Sequence, residues 1–430
     1  MPTTQRPILL CTVGGSHQPI VTAIRELNPA FVCFFCTGRD QATGRPGSEV
    51  QVTGKGNIIK ADPRDETPTL PNIPAQTGLS EDRFEVRLVP PDDLDRAVSV
   101  MDEAIEDLMK RFSDSRIVTD YTGGTKTMTA ALVISALEHD DVELRLVSGA
   151  RADLVKVADG TQRSVAACSD MVRLRRAMAP YVSAWERFAY GEAWKGLSGL
   201  SAPSDPALRA ELQVAMDLSM AFDAWDRFDH REALRILQIY SGRIGRKLPG
   251  HLAFLRLLCA DAEDARREPA LLYDLWLNAQ RRAYQARYDD AVSRVYRLIE
   301  WTAQWILKSG AGIDTADVPA DRIPEGMEIL PDKKGRRPVP LFKAWELIAQ
   351  LMPEGAPAAF FTRTRERLNH LLSKRNLTIL AHGYNPVSET DWREFSGWME
   401  KEFMPMLRNE AGRIRLGIDP PQLPQKRCWE

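Results

Sequence analysis

An α/β domain followed by an all-α region is the architecture this sequence predicts, and three observations carry the prediction. Through about residue 170, short β-type apolar runs alternate with amphipathic segments of helical spacing. Beyond that point β-type runs nearly vanish. At 430 residues the chain is also too long for one ordinary core.

Taken in order, residues 7–13 are apolar and strand-like, 18–27 have helical spacing, and 31–36 read as a buried strand. Residues 84–89, 116–119 and 142–148 share that extended apolar character. Between them, 94–112 sets Leu94, Val98, Met101, Ile105, Leu108 and Met109 on one helical stripe. Strands alternating with helices of this length imply a mostly parallel, doubly wound sheet. The segment 61–82 carries Pro63, Pro68, Pro71 and Pro74 and few hydrophobes, so a long surface loop is expected there. Residues 151–166 read as a hairpin turning at Asp159-Gly160.

After about Asp170, apolar residues recur at helical spacing over 172–194, 205–227 and 230–240, and 271–307 continues as one or two long helices. Residues 314–339 hold Pro, Gly and a basic run, Lys333-Lys334-Gly335-Arg336-Arg337, and read as a loop. Helices resume over 340–351, 358–382 and 388–407. The tail from Asp419 is Pro-rich and is expected to be loosely held. The expected domains are therefore 1–170 (α/β), 171–270 (a helical connector) and 271–430 (a terminal all-helical domain).

Bulk composition narrows the function classes. The charged fraction of 27% and hydrophobic fraction of 44% are those of a soluble globular protein. No apolar run reaches the roughly 18 to 20 residues that span a bilayer. The start, Met-Pro-Thr-Thr-Gln-Arg, leads straight into a strand-like run and lacks secretory features, so a cytoplasmic location is expected. A net charge of -2 supplies no protein-wide attraction for nucleic acid, and any RNA contact must come from a local basic patch. The six cysteines are scattered. Cys33 and Cys36 have CxxC spacing but lie in an apolar run with no second pair, which fits buried thiols better than a structural zinc site. No metal is expected.

Two strands end in similar punctuation. The first runs into Val13-Gly14-Gly15-Ser16-His17, and the second into Asp120-Tyr121-Thr122-Gly123-Gly124-Thr125-Lys126. Such turns lie at the carboxyl edge of an open α/β sheet, where ligands bind at the topological switch point. Paired glycines admit close backbone approach, and the following helix N-terminus offers free N–H groups to a phosphate. Lys126 adds a charge, and the hydroxyls of Ser16, Thr122 and Thr125 add hydrogen bonds. Neither turn fits GxGxxG or GxxxxGK[ST], so dinucleotide binding and P-loop hydrolysis are poorly supported. A nucleotide-like or phosphate-bearing ligand is expected.

A late segment, Arg375-Asn376 followed after five residues by His382, carries a second candidate site on a helix expected to end at Gly383. On a continuous helix, residues seven apart project from one face, separated by roughly 10 Å of rise. Arg375 and His382 can then bracket one phosphodiester, with Asn376 orienting either group. The imidazole would move protons to or from the 2′-OH or the leaving 5′-oxygen, and the guanidinium would stabilise the phosphorane. A single histidine cannot readily be both acid and base, so a symmetry mate is an attractive source of the second. The other histidines suggest no such pairing.

Together these segments resemble the CARF–HEPN ribonucleases associated with type III CRISPR systems. Val13 to His17 and Asp120 to Lys126 look like the two ligand-binding turns of a Rossmann-like CARF domain. Arg375-Asn376 with His382 looks like the HEPN signature, Arg287 to Glu300 is similar to the first long HEPN helix, and the stretch around Ala221 to Phe228 looks like the family's connector. The resemblance implies a homodimer and a cyclic oligoadenylate activator bound across a CARF pair, with no other cofactor. It implies a composite site made from Arg375 and His382 of both subunits, acting on single-stranded RNA. Two other readings stay open: a non-enzymatic ligand-sensing regulator, and an enzyme acting on nucleotides at the glycine turns.

Overall fold

Apolar strands whose alternate side chains are all buried demand a cover on both faces, and the first unit supplies it. The computed structural model describes residues 5–60, 69–149, 161–381, 383–416 and 420–429. The chain divides into two units, Met1–Arg175 and Arg176–Glu430. In the first, the order is β1 (Ile8–Thr12), α1 (Gln18–Leu27), β2 (Phe31–Cys36), α2 (Val50–Thr53), β3 (Asn57–Ile59), β4 (Leu70–Pro71), α3 (Ile73–Thr77), β5 (Phe84–Leu88), α4 (Leu94–Arg111), β6 (Ile117–Asp120), α5 (Lys126–Glu138), β7 (Val142–Ser148) and β8 (Arg163–Ala166).

The main sheet has the order β5-β2-β1-β6-β7-β8, parallel except for β8. Ile8, Leu10, Phe31, Cys33 and Phe35 face α4 and α5, packing with Met101, Ile105, Leu108, Met128 and Leu132. The intervening Leu9, Cys11, Val32, Phe34 and Cys36 face α1 and α3, packing with Ile20, Ile24 and Ile73. This is the doubly wound arrangement that the alternating pattern predicts. Both CxxC thiols are buried without a disulfide, and burial pushes the Cys36 thiol up to about 12.

The expected loop over 61–82 is partly ordered. Residues 61–68 lie outside the description, but β4 pairs antiparallel with β3, and Asn72 caps α3 by accepting from the Ala75 N–H. Ile73 and Pro74 are buried there. Proline in a helix's first turn is compatible with helix, and Pro74 stands there in α3. The expected turn at Asp159-Gly160 lies outside the described residues; β8, from the second half of the expected hairpin, pairs antiparallel with β7, with Ser148 opposite Arg163.

The second unit is helical. The helix α6 (Asp170–Glu186) begins ahead of it, and α7 (Tyr190–Ser198), α8 (Pro206–Asp226), α9 (His230–Ile239), α10 (Ser241–Ile244), α11 (Pro249–Leu258), α12 (Arg267–Tyr284) and α13 (Tyr288–Ala311) follow. Beyond the 312–340 loop come α14 (Leu341–Leu351), α15 (Ala356–Asn376), α16 (Glu389–Trp398) and α17 (Met404–Arg413). A π-helical turn, Met399–Phe403, joins the last two.

Three hairpins, α6–α7, α8–α9 and α12–α13, close with the same turn. In each a non-glycine residue takes a left-handed conformation: Phe188 at φ +58°, Phe228 at +67° and Ala286 at +57°. In each the next N–H bonds back five residues: Ala189 to Ala184, Asp229 to Ala224, and Arg287 to Arg282. These are Schellman closures in which packing, not glycine, enforces the positive φ.

A charged cluster is buried among these helices. Arg281 is fully buried; its Nε donates to Asp226 at 2.7 Å and its Nη1 to Gln422 at 2.7 Å. Asp274 meets His230 at 2.8 Å and accepts from the Trp225 indole at 3.3 Å. Asn278 donates to the Asp226 carboxylate at 2.9 Å.

Gln422 belongs to the tail, and the described tail residues 420–429 are not loose. Leu423, Cys428 and Trp429 are buried, and the Trp429 ring meets Trp185 edge-on at 5.0 Å. The Pro424 carbonyl accepts from the Tyr190 hydroxyl at 2.7 Å. Proline prevents regular structure here, but does not prevent docking by apolar anchors. Trp429→Ala should therefore cost about 3–5 kcal/mol of stability in chemical denaturation, the range for deleting a buried aromatic ring. A loosely held tail predicts a change within about 0.5 kcal/mol.

Candidate functional site

The parallel pairing of β1 with β6 sets Cys11 opposite Asp120, so both strands end at one level. With β2 on the other side of β1, the two glycine turns flank the point where strand order reverses. They touch backbone to backbone. A Cβ on Gly14 would lie 2.5 Å from the Gly124 nitrogen, and one on Gly123 would lie 2.3 Å from the Thr12 carbonyl oxygen. Gly124 also sits at φ +88°. Glycine is required here by contact as well as by conformation.

Side chains around the turns divide into those that build them and those that face outward. Thr12 donates to the Gly123 carbonyl at 2.6 Å, and Thr125 donates to the Pro91 carbonyl at 2.7 Å while capping α5. The Thr122 hydroxyl accepts from the Val147 N–H at 2.7 Å. Thr122 and Thr125 thus shape the turn. Val13 is buried beneath it, Gly15, Ser16 and Lys126 are exposed, and His17 begins α1. One participant, Gln51, lies outside the two sequence motifs. Gln51 reaches from α2 to donate to the Gly14 carbonyl at 2.6 Å. Asp120 accepts from the Thr122 N–H at 2.9 Å, leaves its Oδ2 buried without a partner among the described residues, and is pushed above the ordinary carboxylate value by burial.

The Arg375 region differs from expectation. The helix α15 ends at Asn376, not at Gly383, so the two-turn spacing between Arg375 and His382 does not apply. The apolar period continues past the end, but the backbone turns. The Thr378 N–H bonds to Arg375, the Gly383 N–H to Thr378 at 3.2 Å and the Asn385 N–H to Leu377 at 3.0 Å. Thr378 and Asn385 form an isolated bridge. A Cβ on Gly383 would fall 2.1 Å from the Leu377 carbonyl oxygen, so glycine is needed where the turn closes. His382 itself lies outside the described residues. Its neighbours belong to this turn, which also exposes Leu377, Ile379, Leu380 and Tyr384.

Adjacent cations on α15 have opposite surroundings. Lys374 bonds Glu394 at 2.6 Å and Asp391 at 3.0 Å. Its partnership with Glu394 raises the lysine and depresses that carboxylate, while the Ser388 hydroxyl does most to depress Asp391. Carboxylates depressed in this way contribute stability at neutral pH that is lost as pH falls through their folded values. The raised lysine's share is lost on the alkaline side. Arg375, by contrast, has no carboxylate within 4.0 Å among the described residues. Its guanidinium carbon lies 4.1 Å from the centroid of the Tyr296 ring on α13, and its Nη1 lies 3.4 Å from Asn376 Oδ1. Asn376 is exposed. A pocket of about 210 Å³ opens beside them, lined by Arg375, Thr378, Asn385, Val387 and Phe395. Among the described residues, no group of three or more His, Cys, Asp or Glu is gathered for a metal ion. No described helix is long and apolar enough to cross a membrane.

Glycine turns stand at the carboxyl edge of a doubly wound sheet, and later in the chain α15 carries Arg375-Asn376 into a tight turn. Residues 262–404 match the family model described as the Csm6 HEPN domain, a span that contains Arg375, Asn376 and His382. That segment is similar to the HEPN domain of Csm6. Among solved structures, Csm6 of Enterococcus italicus bound to cyclic hexa-2'-fluoro-hexa-dAMP has a TM-score of 0.56 at 10% identity, covering 96% of this chain and 95% of that one. The two share a fold over nearly their whole lengths. Can2 from Sulfobacillus thermosulfidooxidans, in complex with cyclic tetra-adenylate, has a TM-score of 0.24 at 11% identity, covering 55% of this chain and 69% of that one. No curated protein matches the sequence.

The closing glycine gives a direct test of the turn. Gly383→Ala should speed hydrogen exchange at the Thr378, Gly383 and Asn385 amides by about tenfold or more, with little change in global melting. This is the signature of a locally opened element. Unchanged exchange would mean that the turn does not depend on the 377–383 contact.

Proposed function

We propose that this chain is a ribonuclease activated by a cyclic oligoadenylate and acting in type III CRISPR antiviral defence. The observation that carries the reading is the HEPN match over 262–404, within which Arg375 has no carboxylate within 4.0 Å among the described residues. An arginine left so is available to an anionic substrate, and a phosphodiester is the anion that an Arg-Asn and His set serves.

In the proposed reaction the ribose 2′-oxygen attacks the adjacent phosphorus while an imidazole takes its proton. The bond from phosphorus to the 5′-oxygen breaks, and a second imidazolium delivers a proton to that oxygen. Arg375 stabilises the charge on the phosphorane, and Asn376 orients it. The products are a 2′,3′-cyclic phosphate and a 5′-OH, and the nucleophile is internal, so no metal is needed to generate it. Two histidines are required, and a homodimer supplies them as His382 from each subunit.

The glycine turns are the proposed ligand edge. Val13, Gly14, Gly15, Ser16 and His17 would meet the ring from one side, and Thr122, Gly123, Gly124, Thr125 and Lys126 from the other. A ring with internal rotational symmetry suits a two-fold interface, where each subunit offers it the same turns. Activation is then a population shift toward a dimer geometry in which the paired HEPN residues are competent. The protein is proposed to act in the cytoplasm.

Arg375→Ala and His382→Ala should each lower activated cleavage of single-stranded RNA by about 10² or more, as for loss of a phosphorane-stabilising donor or an acid–base group. Both variants should still bind the ring. Undiminished cleavage by both would leave the alternative of a non-enzymatic regulator, or of an enzyme working at the glycine turns.

A further inference from the structure

A catalytic arginine must be held still without spending the donors its substrate needs. Neighbouring cations on α15 are anchored by acids: Lys374 by Glu394 and Asp391, Arg363 by Glu402, and Arg365 by Glu346. Arg375 is anchored differently. Its Cζ lies 4.1 Å from the Tyr296 ring centroid, well within the roughly 6 Å over which a cation and an aromatic face attract. Its Nε is buried and has no hydrogen-bond partner among the described residues, and its Nη1 makes one long contact at 3.4 Å to Asn376. A carboxylate fork would occupy two N–H donors and neutralise the charge. An aromatic face does neither.

Tyr296 is itself firmly placed. Val295 and Ile299 beside it on α13 are buried, which fixes the helix against its neighbours and turns the tyrosine toward the end of α15. Among the described residues its hydroxyl bonds to nothing. The ring, and not the hydroxyl, is what Arg375 meets.

We infer that Tyr296 is the positioning residue for Arg375, holding the guanidinium by its face so that the Nη donors stay charged and open to a phosphodiester oxygen. This rests on the ribonuclease reading above. It assigns Tyr296 no contact with the RNA; the residue acts through Arg375.

The test uses the full-length chain, a single-stranded RNA reporter and saturating cyclic oligoadenylate, with kcat and KM measured separately. Tyr296→Phe keeps the ring face and should stay within about 3-fold of the parent. Tyr296→Leu should lower kcat by about 5- to 30-fold, the range of a largely desolvated cation–π contact, with KM within about 3-fold. In the Arg375→Ala background, Tyr296→Leu should slow the residual rate no further, because the two residues act as one unit. Melting temperature and ring affinity are read alongside; should Tyr296→Leu fail to fold, Tyr296→Gln takes its place under the same expectation. A parental kcat in Tyr296→Leu, an equal loss in Tyr296→Phe, or an additive loss on Arg375→Ala overturns the inference. Full cleavage by Arg375→Ala overturns instead the reading it rests on.

Discussion

A fully buried guanidinium has to keep its carboxylates, and the helical unit is organised around that requirement. Arg281 bonds Asp226 at the end of α8 and Gln422 in the tail, while Asp274, two turns earlier on the same face of α12 and 3.6 Å from Arg281 Nη2, is held by His230 and Trp225. Replacing such a cluster with apolar residues can be neutral, but removing one partner strands a buried charge and typically costs 3–5 kcal/mol. The cluster therefore acts as a registration device. It fixes α12 against α8, and α12 closes onto α13 through the Schellman turn at Ala286. Since α13 presents Tyr296 to Arg375, the geometry at the end of α15 inherits its precision from charges buried elsewhere in the same unit.

In the α/β unit the corresponding constraint is steric. Parallel pairing of β1 and β6 forces two turns into one space, and Gly14, Gly123 and Gly124 are the residues that fit. The hydroxyls nearest the backbone, those of Thr12, Thr122 and Thr125, are consumed in holding the turns. What faces outward is glycine backbone, Ser16 and Lys126. A ligand at this edge would meet a surface preorganised by backbone contact, which reduces the ordering cost of binding.

Much of this was legible in the sequence because it is locally encoded. Strand runs, the α4 stripe and the glycine punctuation all announce themselves within a few residues, and the strands fall within a residue or two of expectation. Three features were not legible. The end of α15 is set by Thr378 pairing with Asn385 and by Gly383 packing on Leu377, while the apolar spacing of Leu377, Ile379 and Leu380 continues as if the helix did. Those side chains are exposed, so the period misled. The tail was judged by its prolines, although Leu423 and Trp429 anchor it. The partners of His230, His251 and Arg281 lie dozens of residues or more away, and no single-sequence pattern connects them.

The central claim is that ring binding at one unit licenses RNA cleavage at the other by metal-free chemistry. Its most direct test is cleavage of a fluorogenic single-stranded RNA in EDTA, with no ring, with cyclic tetraadenylate and with cyclic hexaadenylate. The account predicts cleavage that rises steeply with one of the two rings and leaves 2′,3′-cyclic phosphate ends. Cleavage abolished by EDTA, or indifferent to both rings, would contradict it.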